Sequence, residues 1–128
     1  MSARRLGAWG ERQAERHLKQ AGYRILDRNW RVAVGELDII AEHESTLVFV
    51  EVKARSTDSY GLPEEALTAR KRRRLQRAAW TYLEETDQLQ ADWRIDVIAL
   101  VRESDGNVGR LEHYENALEA ETDLGRRR

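Results

Sequence analysis

The sequence contains no cysteine, one proline and one phenylalanine, and no apolar run near the ~20 residues of a membrane span. The missing thiols exclude a disulfide framework, a thiolate zinc site and a cysteine nucleophile. The histidines, His17, His43 and His113, are far apart and lack metal-ligand spacing. An excess of one charge is missing as well: the net charge is −1, so bulk charge offers no case for polyanion binding. Residues 1–20 are charged throughout and hold no apolar core of the kind a secretory signal needs. The expectation is a soluble, cytoplasmic protein with no membrane association. At 128 residues the chain suffices for one compact domain, expected over 1–118, with a disordered tail at 119–128.

Periodicity divides the rest. Leu6, Gly10, Ala14, Leu18 and Ala21 recur at helical spacing, so residues 3–21 read as a helix with Ser2 as N-cap and Gly22 as its stop. From Tyr23 the pattern becomes extended. Two strands are predicted in "ELDIIAEH" and "LVFVEVKA", joined by a short turn around residues 44–46. "STDSYG" reads as a loop. Pro63 followed by Glu64 and Glu65 marks the start of a second helix running to about Glu85. Leu67, Lys71, Leu75, Ala78, Ala79 and Tyr82 form its inner stripe. "DWRIDVIALV" is a further strand and "VGRLEHY" a short last one. The fold class is α/β, with helices packed on a central mixed sheet.

The most apolar segments carry charge. In "LVFVEVK", Glu51 and Lys53 continue the face of Leu47 and Phe49, opposite Val48, Val50 and Val52. In "ELDIIA", Glu36, Asp38 and Ile40 alternate with Leu37, Ile39 and Ala41. Paired as a hairpin, these strands bring Asp38 beside Glu51. Charge in a buried strand costs several kcal/mol unless something compensates it. Two carboxylates about 4 Å apart repel by roughly 4 kcal/mol at an effective dielectric near 20. A lysine offsets part of that, and a hard divalent cation offsets more. Acid, acid and lysine therefore suit metal-dependent phosphodiester cleavage. They equally suit a structural ion pair of Lys53 with Asp38 or Glu51 at the edge of a core.

At these residues the chain resembles the YraN family of small bacterial proteins. The resemblance runs from "GERQAERHLKQAGYRIL" through "NWRVAVGELDIIAEHESTLVFVEVKAR" and "GLPEEALTARKRRRLQRAAWTYL" to "WRIDVIAL", roughly residues 7–101. That family is similar to the PD-(D/E)xK nucleases of restriction-endonuclease-like fold, and among them to archaeal Holliday-junction resolvases. The resemblance implies an αβββαβ core and a Mg²⁺- or Mn²⁺-dependent endonuclease acting on DNA, branched or single-strand-containing. Asp38 takes the place of the motif aspartate, Glu51 of the (D/E) and Lys53 of the lysine; Leu37 stands where the motif has proline. Asp38, Glu51 and the Val52 carbonyl are the implied metal set, with Lys53 acting on the attacking water. Glu11 matches the first-helix acid that helps hold a metal, ahead of Glu15 one turn along. Resolvases of similar fold work as homodimers, which extends the expectation to a dimer. The rival reading is a nucleic-acid-binding or protein-partner module on the same fold without turnover.

"RKRRRLQR", residues 70–77, holds six cationic side chains in eight positions. Arg70, Arg73, Arg74 and Arg77 share an outward face, read as a phosphate-contacting surface beside a nuclease site. Lys71, also assigned to nucleic-acid binding, falls on the inner stripe and either snorkels from it or reaches the site. Asp96, in an apolar strand, reads as a structural partner for a buried arginine or backbone group. Trp9, Trp30, Trp80 and Trp93 read as core or rim packing, Trp30 being the best exception as a base-stacking platform. His17 reads as an exposed helical residue.

Overall fold

A computed structural model describes residues 1–57 and 61–118. The loop expected at 56–61 falls partly, and the tail expected at 119–128 wholly, outside the described residues. The first helix, α1 (Ala3–Gln20), is capped by Ser2, whose hydroxyl accepts from the Arg5 N–H at 3.2 Å. It stops at Gly22, where φ is +91°, a conformation open to glycine without strain. Three strands follow, β1 (Arg24–Val32), β2 (Gly35–His43) and β3 (Thr46–Ser56). Glu44 and Ser45, at φ +49° and +67°, make the tight β2–β3 turn without a glycine.

The second helical segment differs from the sequence expectation. Pro63–Ala66 forms a separate 3₁₀ turn, and α2 is Ala69–Glu85, with Thr68 as its N-cap accepting from the Lys71 N–H at 3.3 Å. The proline and acids do open a helical turn. Thr68 in extended conformation then restarts the helix, because a side-chain oxygen there satisfies an amide that the first turn leaves open. β4 (Trp93–Arg102) and β5 (Val108–Tyr114) complete the chain order.

The five strands form one mixed sheet in sequence order, β1 to β5. β3 and β4 are parallel and α2 is the crossover between them, as parallel neighbours require; the other pairs are antiparallel. The order α1-β1-β2-β3-α2-β4 is the expected αβββαβ core, to which β5 adds an edge. α1 covers one face, over Val48, Val50, Ile98 and Leu100. α2 covers the other, over Leu47, Phe49, Ile95 and Val97. β3 and β4 are thus apolar on both faces, which is what a covered central pair needs. No helix among the described residues is long and apolar enough to cross a membrane.

Candidate metal and nucleic-acid site

The site arises where the sheet divides. The β2–β3 ladder runs from His43↔Thr46 to Ile39↔Val50 and ends there. β2 continues against β1 as far as Val32↔Gly35, and β3 continues against β4 as far as Ser56↔Arg102. The residues next in line, Asp38 and Glu51, stand at the crotch of this fork. The Val52 N–H has lost its ladder partner and donates instead to Asp38 Oδ2 at 2.9 Å. That bond holds the carboxylate against β3 and satisfies an amide that would otherwise be orphaned. The gap opens into a hollow of about 360 Å³, lined by Glu11, Glu36, Asp38, Glu51, Lys53 and Lys71 among others.

Strict alternation along β2 fails at the same point. Ile39 packs on the α1 side of the sheet, yet Leu37 joins Ile40 and Phe49 on the α2 side. The β-strand period of two would have put Leu37 with Ile39. Opposite this step, Asn29 in β1 has φ +50°. Along β3 the expected faces hold: Val52 and Ala54 pack toward α1, and Lys53 Nζ lies 3.5 Å from Glu51 Oε2 on the shared opposite face.

The electrostatics are those of unbalanced negative charge. Burial pushes the Asp38 carboxyl well up, and the hydrogen bond and charge of Glu51 push it further; the Val52 amide and Lys53 only partly oppose them. Lys53, in contact with Glu51, thus offsets only part of what acts on Asp38. Glu11 is raised to about 7, first by burial, then by the charges of Asp38 and Glu36.

α1 delivers Glu11 through a close approach. A Cβ on Gly10 would sit 2.9 Å from Ala54 Cβ and 3.5 Å from Val52 Cγ1, so only glycine lets the helix lie this near β3. Asn29 Nδ2 then donates to Glu11 Oε1 at 2.8 Å and to Glu36 Oε1 at 3.2 Å, tying helix and fork together. Glu15 is engaged elsewhere. Hydrogen bonds from Arg28 hold it down to about 2, and Lys19 lies 3.0 Å from it. Asn29 and Glu36 were not singled out by sequence. Glu36 had a usable signal, an acid two positions before Asp38; Asn29 had only its tolerance of positive φ.

The donor set fits a hard divalent cation with an incomplete protein shell. Among the described residues no three His, Asp or Glu side chains converge to hold an ion. Glu11 thus faces the hollow without closing a three-acid cluster around Asp38 and Glu51. Two carboxylates, with water and phosphate oxygens completing the shell, are the usual protein share for Mg²⁺.

α2 provides the rim. Lys71 is exposed, not packed on the inner stripe, and it lines the hollow together with Arg74. Arg70, Arg73, Arg74 and Arg77 are all exposed and line an adjoining hollow of about 480 Å³ with Ala33 and Val34. The packing expected of the tryptophans holds for Trp9, Trp30 and Trp93, and it is Trp80 that departs from it. Trp30 packs edge-to-face on Tyr82, with ring centroids 5.1 Å apart, whereas Trp80 is 51% exposed.

Asp96 is fully buried and has the structural role expected of it. It accepts from Arg94 Nε at 3.0 Å, the Asn116 N–H at 2.9 Å and His113 Nε2 at 2.8 Å. Burial works to raise its carboxyl, but these three donors outweigh that and hold it below the usual range. His17 is half-buried, correcting its reading as an exposed residue, because its Nε2 lies 3.0 Å from His113 Nδ1.

Fold and site together define a mixed α/β domain with an acidic cleft at a parting of two strands and a basic helix along its rim. The chain belongs to the UPF0102 family: the model of the uncharacterised protein family UPF0102 matches residues 10–100. It is 47% identical over 113 residues to a UPF0102 protein of Pelotomaculum thermopropionicum, covering 88% of this chain and 94% of that one. It is 48% identical over 114 residues to a UPF0102 protein of Desulfosudis oleivorans, covering 89% of each. A UPF0102 protein of Syntrophotalea carbinolica is 48% identical over 118 residues, covering 91% of this chain and 93% of its own.

Proposed function

We propose that the protein is a Mg²⁺- or Mn²⁺-dependent endonuclease that hydrolyses phosphodiester bonds in DNA. One observation carries this reading. Two carboxylates from parting strands meet at an open hollow, and the one lysine beside them, in contact with Glu51, only partly offsets the burial and repulsion acting on Asp38. Asp38, Glu51 and the Val52 carbonyl would hold the metal, which supplies charge to neutralise the phosphate and acidify a bound water. Lys53 stands beside Glu51, where an ammonium can orient the attacking water or stabilise the pentavalent phosphorus. Glu11, with its proton affinity raised to about 7, would accept or return a proton near neutral pH. Lys71 and Arg74 at the rim, with Arg70, Arg73 and Arg77 beyond, offer the positive surface that a phosphate backbone needs. Attack in line with the leaving oxygen would give a 5′-phosphate and a 3′-hydroxyl, as in the nucleases this chain resembles. A homodimer, as resolvases of similar fold form, would bring two such sites to two strands.

The test compares wild type with Asp38→Ala, Glu51→Gln and Lys53→Met on plasmid, single-stranded and four-way-junction DNA, with Mg²⁺, Mn²⁺ or chelator. Cleavage that needs the metal and disappears in all three variants is the expected result. DNA binding with no cleavage of any substrate by wild type would replace the enzyme with a binding module.

A further inference from the structure

The expected phosphate-contacting surface explains the arginines of α2 but not Trp80. Trp9 is 6% exposed in the core, whereas Trp80 is 51% exposed on the solvent side of α2. A tryptophan left in water forgoes burial of a ring that is among the largest apolar groups available to the chain. Among the described residues it has no ring stacked on it. Arg73, Arg77 and Trp80 stand at i, i+4 and i+7, one face of a helix. The four arginines, Arg70, Arg73, Arg74 and Arg77, make no side-chain ion pair among the described residues, so their positive charge is uncommitted.

The hollows join into a track. The acidic site shares Arg74 with the hollow of about 480 Å³ beside it. That one shares Val34, Arg73 and Arg77 with a third, of about 550 Å³, lined also by Gln76, Trp80 and Thr81. From Lys71 at the site to Trp80 the helix rises nine residues, about 14 Å. Nine residues are also about two and a half turns, so a strand following the hollows passes from one side of α2 to the other as it rises, a path of several nucleotides. Charge along the track and an aromatic face at its end is how sequence-tolerant single-strand binders are built: cations follow the phosphates and a ring stacks a base. A base in a duplex is stacked on both sides and cannot offer its face to a side chain.

We infer that the groove from the fork to Trp80 is a subsite for an unpaired nucleic-acid strand, with Trp80 stacking a base several nucleotides from the phosphate at the acids. This rests on the nuclease reading for the substrate's class and adds that the strand leaving the site is single.

The test measures binding of fluorescein-labelled dT15, rU15 and a 15-base-pair duplex by anisotropy in chelator, so that no cleavage enters. Trp80→Ala is expected to bind the unpaired strand about 5- to 100-fold more weakly than wild type, with duplex affinity within about twofold. Trp80→Phe keeps a ring and should recover most of the loss. The salt slope of Trp80→Ala should match wild type, since stacking releases no counterion. The dT15 and rU15 arms separate DNA from RNA as the source of the strand. Equal losses on duplex and single strand, unchanged dT15 and rU15 binding in Trp80→Ala, or no single-strand binding by wild type would each overturn the subsite. None of those outcomes bears on metal-dependent cleavage of plasmid or junction DNA, which the Asp38 variant reads separately. Unchanged nucleic-acid binding would leave Trp80 to a protein partner.

Discussion

Replacing Asp38 by asparagine should stabilise the metal-free protein at alkaline pH. An asparagine carbonyl can still accept from the Val52 N–H, bonded now at 2.9 Å, so the substitution removes the charge and little else. The repulsion with Glu51 is roughly 4 kcal/mol for charges about 4 Å apart near a dielectric of 20. Lys53, 3.5 Å from Glu51 Oε2, cancels part of it. A net relief of about 1–2 kcal/mol remains, or roughly 4–8 °C in Tm for a chain of this length. The pH dependence follows from the upward shift of Asp38. Below the ordinary aspartate range both states hold the proton and its stabilisation is fully present. As pH rises, the unfolded chain ionises first, so wild-type stability falls until pH passes the raised folded value. The asparagine variant lacks this fall, and its advantage should open with pH and vanish near pH ~4. On the proposed site, divalent cation should reverse the order: at 100 times its Kd it would add about 2.7 kcal/mol to wild type alone. Asp38→Ala removes the acceptor as well, and the orphaned amide should place it about 1–3 kcal/mol below asparagine. Thermal unfolding from about pH 4 to 9, in chelator and in Mg²⁺ or Mn²⁺, reads all of this. An asparagine variant less stable than wild type at about pH 9 in chelator would refute the view of Asp38 as an under-compensated charge.

Three further expectations concern the surroundings. Asp96→Ala should lower stability by about 3–5 kcal/mol in denaturant unfolding, because it strands Arg94, His113 and the Asn116 amide around a fully buried position; a loss under about 1 kcal/mol would mean the network carries little. Gly10→Ala gains about 1 kcal/mol of helix propensity but sets a methyl 2.9 Å from Ala54 Cβ, a clash of about 1–3 kcal/mol. The net effect should be neutral to destabilising, with cleavage reduced more than stability as Glu11 is displaced; a stabilised, fully active variant would contradict the close approach. Neutralising Arg73, Arg74 and Arg77 together should flatten the salt dependence of duplex binding by up to about 2.7 in log–log slope, and an unchanged slope would return them to an ordinary solvated face.

The sites of disagreement between sequence and structure have identifiable causes. Periodicity along β3 was reliable because that strand is hydrogen-bonded on at least one side throughout and buried on both faces over residues 47–50. It failed at Leu37 because the β2–β3 ladder has already ended there, and the period of two assumes a regular ladder. Lys71 fell on an apolar stripe by arithmetic, but the helix begins at Ala69, not Pro63, and its first turn projects past the core. His17 and His113 are 96 residues apart, and no local pattern could show that their rings meet.

What the chain determined by itself was local. It set the alternation that puts Glu51 and Lys53 on one face, the helix bearing six cations, and the glycine next to Glu11. Tertiary structure decided that the sheet opens between β2 and β3, and so that Asp38, Glu51 and Glu11 share one hollow. It also left Trp80 in solvent while the other helical tryptophan, Trp9, went inside. The physical reason is that a strand's faces follow from bonds between neighbouring residues. Where two strands part follows from competition among helices, turns and ladders that meet only when the whole sheet has assembled.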